Sequence, residues 1–286
     1  MSDRSSQFLT TTDHSRQSAG HTYVYPVLSR RAGGLSIGIN LNPNNACNWR
    51  CIYCQVPNLV RGSAPPIDLG RLESELRRFI SDVLHSDYLQ RHIPDGLQRL
   101  NDIALSGNGE PTSAREFDDV VEIIGRIRRE LEVSDAVKTI LITNGSLVQR
   151  RGVQTGLRRM AEINGEVWFK IDRATNAGIR LVNNVRTSID TVLRKLETAA
   201  ALCPTWIQTC LFAVDGEPPG ADEIAAYVDL LRKIRGGIPI RGVLLYGIAR
   251  PSLQPEASRL SRLPDESMQA IAQQIAELDY VVKVSP

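Results

Sequence analysis

Three cysteines, Cys47, Cys51 and Cys54, fall within eight residues at Cys-x3-Cys-x2-Cys spacing, just after the turn-forming run Asn42-Pro43-Asn44-Asn45. Thiolates are soft ligands, and three on one short loop can wrap three corners of an iron–sulfur cube. A fully protein-bound cube takes four cysteines. No fourth lies nearby, so one iron would stay open to a chelating amino acid such as the methionyl end of S-adenosylmethionine. Zinc is the competing ion. It takes four ligands in a structural site or three plus water in a catalytic one, and no histidine lies close in sequence. The chain has five cysteines, an odd number that argues against a disulfide framework. The remaining pair, Cys203 and Cys210, cannot hold a second cube and read as free, partly buried thiols.

The cysteines need a scaffold, and the hydrophobic pattern supplies one. Strand-like runs at 35–41, 102–106, 137–143, 166–172, 206–212 and 241–247 alternate with helical patterns at 66–84, 114–131, 149–163, 187–201, 221–234 and 264–278. Thr187 is placed to cap the fourth helix, Pro264 opens the last, and a strand-like tail at 280–284 follows. Alternation of this kind implies parallel strands with helices outside. An incomplete barrel and an open doubly wound sheet fit the periodicity equally well.

If the strands form a barrel, functional groups should gather at their C-terminal ends. The second strand ends in Gly107-Asn108-Gly109-Glu110, where glycines permit close backbone approach and Glu110 offers an acceptor for an ammonium group. The third ends in Thr143-Asn144-Gly145. In the fourth, alternation puts Val167, Phe169 and Ile171 on one face and Trp168, Lys170 and Asp172 on the other. Burying a lysine and an aspartate is costly unless they are paired or used, so this face is a candidate for function.

The cysteine loop, with aromatic Tyr53 just before its last cysteine, resembles the signature of the radical S-adenosylmethionine superfamily. Two further features resemble its compact wyosine-synthase-like subgroup. They are Tyr-x3-Arg-Pro from Tyr246 to Pro251, and Ser36-Ile37-Gly38-Ile39-Asn40-Leu41 leading into the loop. Over residues 35–252 the resemblance implies an α/β fold, an incomplete (β/α)6 TIM-like barrel with parallel strands inside and helices outside. It implies a [4Fe–4S] cluster on Cys47, Cys51 and Cys54, and S-adenosylmethionine as cosubstrate. Tyr53 would then help hold the adenine. Gly107, Asn108, Gly109 and Glu110 stand where the family has a Gly-Gly-Glu-like element for the cofactor's amino group. By the same resemblance Thr143 or Asn144 reaches the cofactor, Lys170 meets its carboxylate, Asp172 its ribose hydroxyls, and Arg250 touches cofactor or substrate. The chain departs from wyosine-forming members in having no additional cysteines before Cys47. It departs from peptide-modifying members in lacking a cysteine-rich C-terminal extension. It reads as a bare catalytic core.

Composition sets the outer limits. In 286 residues, 42% are hydrophobic, enough for a sizeable core, and the formal net charge is +2. That near-neutral balance gives no support for bulk nucleic-acid binding, while leaving a local basic patch open. No apolar run reaches the roughly 18–20 residues of a membrane span. The polar start lacks the apolar stretch of a secretory signal, so a cytoplasmic location is expected. Residues 1–25 read as a disordered leader and 26–286 as one partial-barrel domain. Arginine clusters at Arg77 and Arg78, Arg126 to Arg129, Arg150 and Arg151, and Arg158 and Arg159 read as solvated helix faces. The resemblance implies an electron supplied by a flavodoxin- or ferredoxin-type reductant. S-adenosylmethionine is then cleaved to a 5′-deoxyadenosyl radical, which abstracts hydrogen from an unidentified substrate: a tRNA nucleoside, a partner protein or a small metabolite. The alternatives are a zinc-binding α/β enzyme and a non-catalytic iron–sulfur protein for electron transfer or sensing.

Overall fold

The computed structural model describes residues 8–10, 20–29 and 33–285. Residues 1–7 and 11–19, most of the expected leader, lie outside the described residues. Eight strands form one sheet in sequence order: β1 Val24–Ser29, β2 Gly34–Ile39, β3 Leu100–Leu105, β4 Lys138–Thr143, β5 Gly165–Lys170, β6 Thr205–Leu211, β7 Ile240–Gly247 and β8 Val282–Ser285. β1 pairs antiparallel with β2, and every later pairing is parallel. The order decides what periodicity left open. A doubly wound sheet reverses its strand order at a switch point, and this one never does. It also curls. Strands lie about 4.8 Å apart, so across a flat sheet β1 and β7 would stand about 29 Å apart. Yet Tyr25 of β1 and Tyr246 of β7 line the same cavity. The result is the expected incomplete barrel.

Alternation along each strand builds two faces. Leu35, Ile37, Ile39, Ile103, Leu105, Leu141, Val167, Phe169, Ile207 and Val243 face outward into the main hydrophobic core. Ser36, Gly38, Asp102, Ala104, Ile142, Trp168, Lys170 and Cys210 face the cavity inside.

The helices cover the outer face. The longer ones are α1 Leu69–His85, α2 Phe117–Glu130, α3 Arg151–Glu162, α4 Asn176–Asn183, α5 Ile189–Leu202, α6 Ala221–Ile234 and α7 Asp265–Ala276, and a five-residue helix, Tyr88–His92, follows α1. Asp68 caps α1 by accepting from the Arg71 N–H at 2.9 Å, and Leu72, Leu76, Phe79, Ile80 and Val83 form its buried stripe. In α2, Asp118 and Asp119 occupy the first turn and Arg128 and Arg129 the last, complementing the helix dipole at both ends.

Four expectations change. Val24 opens β1 and Tyr23 to Leu28 are buried, starting before the leader was expected to end. Helix α4, unassigned from sequence, is capped by Thr175, whose hydroxyl accepts from the Gly178 N–H at 2.9 Å. The cap of α5 is Ser188 rather than Thr187. Arg128 is buried and its guanidinium is pushed below the usual arginine value by desolvation, so it is not part of a solvated face. Arg77 and Arg126 do remain on the surface, both paired with Glu73.

Candidate active site

The cysteine loop leaves the C-terminal end of β2 and is fixed at its start by two asparagines. The Asn40 side-chain oxygen accepts from the N–H groups of Asn42 and Asn108, both at 3.0 Å. Asn42 Nδ2 donates to the Ala46 carbonyl at 2.9 Å. The loop after β3 packs directly on this turn. A Cβ on Gly107, whose φ is +142°, would overlap Asn40, and one on Gly109 would overlap the Ala46 carbonyl oxygen. Both positions therefore need glycine. Asn108 adds a side-chain bond to Asn45 at 2.6 Å.

Cys47, Cys51 and Cys54 are not disulfide-bonded, are half-buried and line one cavity of about 320 Å³. Burial pushes the thiols of Cys47 and Cys51 up to about 12, so a metal binding there must displace their protons. Among the described residues no three His, Cys, Asp or Glu side chains stand in a metal-holding arrangement. No histidine lies in the cavity lining, and the fourth cysteine there, Cys210, comes from β6; the loop itself supplies three soft thiols. Those donors fit an iron–sulfur cube with one open corner better than a structural zinc ion.

Opposite the loop, Lys170 and its neighbours form a buried polar group. The Lys170 ammonium donates to the hydroxyl oxygens of Tyr53 and, at 3.1 Å, Tyr246, and lies 3.7 Å from the Asp172 carboxylate. Burial alone would lower the lysine's pKa. The Asp172 carboxylate, with neighbouring tyrosines and thiols, reverses this and holds it well above the ordinary value. Asp172 accepts from Tyr53 Oη and Asn183 Nδ2, both at 2.7 Å, and from the Cys210 N–H at 3.0 Å. The Tyr53 ring tilts against Phe212 with centroids 5.3 Å apart.

Glu110 is 2% exposed, and its carboxylate is fully engaged. Oε1 accepts from the Thr112 N–H at 3.2 Å and from the Thr112 and Thr143 hydroxyls at 2.6 Å each; Oε2 accepts from the Asn144 N–H at 2.7 Å. Desolvation raises its pKa above the usual carboxylate range, against the pull of these bonds.

The cavity lining thus includes Tyr53, Gly107, Asn108, Gly109, Glu110, Asn144, Lys170 and Arg250 together with the three cysteines. Two predicted cofactor residues fall outside it. Thr143 points to the outer face and braces Glu110, and Asp172 sits behind Tyr53 and Lys170 with no exposed side-chain surface. Sequence reasoning named Tyr246 and Cys210 without placing them at the site, although both alternate onto the inner faces of their strands. It also missed Asn183, whose side chain donates to Cys51 Sγ at 3.3 Å from the unassigned helix α4. Cys203 is buried away from this site against the Gly165 carbonyl.

Comparison with solved structures shows the fold: a partial barrel also seen in radical S-adenosylmethionine enzymes. SuiB of Streptococcus suis, solved bound to S-adenosylmethionine, superposes with a TM-score of 0.53 at 11% identity, over 87% of this chain and 45% of its own. A radical SAM methyltransferase from Sphaerobacter thermophilus gives 0.53 at 14% identity, over 88% and 66%. Among curated sequences, the UPF0026 protein MJ1312 of Methanocaldococcus jannaschii is 27% identical over 176 residues, 60% of this chain and 46% of that protein. The GTPase Obg of Brachyspira hyodysenteriae is 28% identical over 135 residues, 46% of this chain and 17% of that protein. The chain therefore spans less than half the length of either curated relative. No protein-family model matches it. Among the described residues, no helix is long and apolar enough to cross a membrane.

Proposed function

We propose that this chain is a radical S-adenosylmethionine enzyme. The observation that carries the reading is the convergence of the three cysteines, Lys170, Tyr53 and the Gly107–Glu110 loop on one cavity at the C-terminal end of the barrel. When bound, a [4Fe–4S] cluster and S-adenosylmethionine would supply a 5′-deoxyadenosyl radical for hydrogen abstraction.

The chain's own residues would bind, orient and exclude water. Cys47, Cys51 and Cys54 would hold the cluster. Gly107 and Gly109 bring backbone close to the cavity, and the Asn108 and Asn144 side chains line it. Lys170, held positive by Asp172, presents a fixed charge that suits a carboxylate. Tyr53 offers an aromatic face beside the last cysteine, and Arg250 a second positive charge at the rim. Glu110 and Asp172 are positioning residues whose oxygens are already occupied by protein donors. The electron would come from a flavodoxin- or ferredoxin-type protein. The substrate class is a tRNA nucleoside, a protein or a small metabolite.

The test is anaerobic reconstitution with iron and sulfide, then dithionite and S-adenosylmethionine, with 5′-deoxyadenosine measured by chromatography. The expected result is deoxyadenosine from the wild type and none from Cys51→Ala. Iron uptake without deoxyadenosine, under any candidate substrate, would favour an electron-transfer or sensor role. Zinc uptake without iron would overturn the reading.

A further inference from the structure

The segment that follows β7 passes along the cysteine loop and turns at Gln254–Glu256. Its side chains alternate: Ser252 and Gln254 are 5% and 7% exposed and Glu256 is half-buried, while Pro251, Leu253 and Pro255 face out. The three inward residues, at i, i+2 and i+4, all bond the cysteine loop. Ser252 Oγ is 2.7 Å from the Ile52 carbonyl and 3.2 Å from that of Cys54. Gln254 Nε2 donates to the carbonyls of Cys54 and Val56 at 3.3 and 3.1 Å. Glu256 takes the Arg50 guanidinium in a fork, at 3.0 and 2.8 Å. The backbone joins in, with the Leu253 N–H on the Cys54 carbonyl at 2.9 Å. The Gln55 side chain returns a bond to the Arg250 carbonyl, also at 2.9 Å. On the loop's other side, α4 supplies the Val182 carbonyl to the Ile52 N–H at 2.9 Å. The strap is itself pinned beyond Glu256, where Arg259 pairs with Asp215 and Leu260–Ser261 pairs with Ala213–Val214.

A short loop carrying three ligands normally lets metal binding bear the cost of ordering it. Here the carbonyls of Ile52, Cys54 and Val56 accept bonds from a strap some 200 residues away in sequence. We propose that Ser252, Gln254 and Glu256 are positioning residues that hold the cysteine loop in shape before any metal arrives, so that cluster uptake depends on them. None of the three touches the cavity, so their role acts through the loop.

This inference rests on reading the three cysteines as cluster ligands, and the test separates the two. Ser252→Ala/Gln254→Ala and, independently, Glu256→Gln are made in the full chain. Hydrogen exchange of the metal-free protein is followed for peptides covering 47–56, with peptides from β6 and α5 as internal controls. Faster exchange confined to 47–56 and an apparent Co²⁺ affinity about 10-fold weaker, the size typical of residues that orient metal ligands, are the expected results. Glu256→Asp, which keeps the carboxylate, should recover part of the loss. Unchanged exchange and cobalt affinity would overturn the proposal, as would acceleration spread equally over the controls, which would make the strap a general brace. The exchange arm holds no metal, so it reads the strap alone. Iron analysis of the wild type reads the cluster separately.

Discussion

Replacing Glu110 with glutamine should cost stability in the metal-free protein, and the amount follows from the hydrogen bonds. The carboxylate receives four bonds from Thr112, Thr143 and Asn144. Glutamine keeps one carbonyl oxygen. The two hydroxyls can turn, but the Thr112 and Asn144 N–H groups cannot. One of them must then face an amide NH₂, and a buried donor without an acceptor costs about 1–3 kcal/mol. The surviving bonds also lose their charge assistance. Against this, the buried charge is itself unfavourable, since desolvation holds the Glu110 pKa above its ordinary value, and glutamine removes that cost. We therefore take the lower part of the range, about 1–2 kcal/mol. At roughly 2–4 °C per kcal/mol for a chain of this size, Tm should fall by about 2–8 °C. Differential scanning calorimetry at pH 7 measures it. Thr143→Val should cost about 1 kcal/mol alone and less in the Glu110→Gln background. An unchanged or raised Tm for Glu110→Gln would refute the view that this carboxylate ties the end of β4 to the loop after β3.

Three further outcomes are expected. Gly109→Ala forces a methyl group onto the Ala46 carbonyl; overpacking of this kind costs about 1–3 kcal/mol, and iron bound per chain after reconstitution should drop. Asp172→Asn leaves the buried Lys170 ammonium without its counter-charge, a loss of roughly 3–5 kcal/mol readable by urea unfolding. Glu73, accepting bonds from Arg126 and Arg77, is held down at about 2, against about 4.3 unfolded. Its contribution is therefore present above pH 4.3 and is lost as pH falls towards 2. The urea midpoint of Glu73→Gln should fall less steeply across that window than the wild type's, and 1 M salt should shrink the difference.

The repeated βα pattern was legible because each strand buries one continuous apolar face and each helix one stripe; the helix at 221–234 matches α6 residue for residue. Short elements escaped, β1 and α4 among them. The leader's polarity hid β1, whose Tyr25 and Val27 alternate in only six residues. Helix α4 has eight residues, too few to show a period, though Thr175 and the left-handed Asn184 mark its ends. Barrel and doubly wound sheets share local periodicity, so only the strand order, a property of distant contacts, could separate them. At the site, sequence put Glu110, Lys170 and the cysteines at the right strand ends. It gave no sign that Asp172 turns back towards Asn183, which sits on the unassigned helix α4, or towards the Cys210 N–H of the neighbouring strand β6. The partners of Arg50 and Cys54 were equally hidden, lying some 200 residues further along the chain.

That separation has a temporal side. Arg50 and Glu256 are 206 residues apart, so at about 5–20 residues per second the ribosome would finish the cysteine triad roughly 10–40 s before it made the strap. During that interval the nascent chain carries three thiols on a segment with no cover, open to oxidation and to the wrong metal. If cluster uptake depends on the strap as proposed, metal loading waits until the segment after β7 is made, and this turns the order of synthesis into an order of assembly.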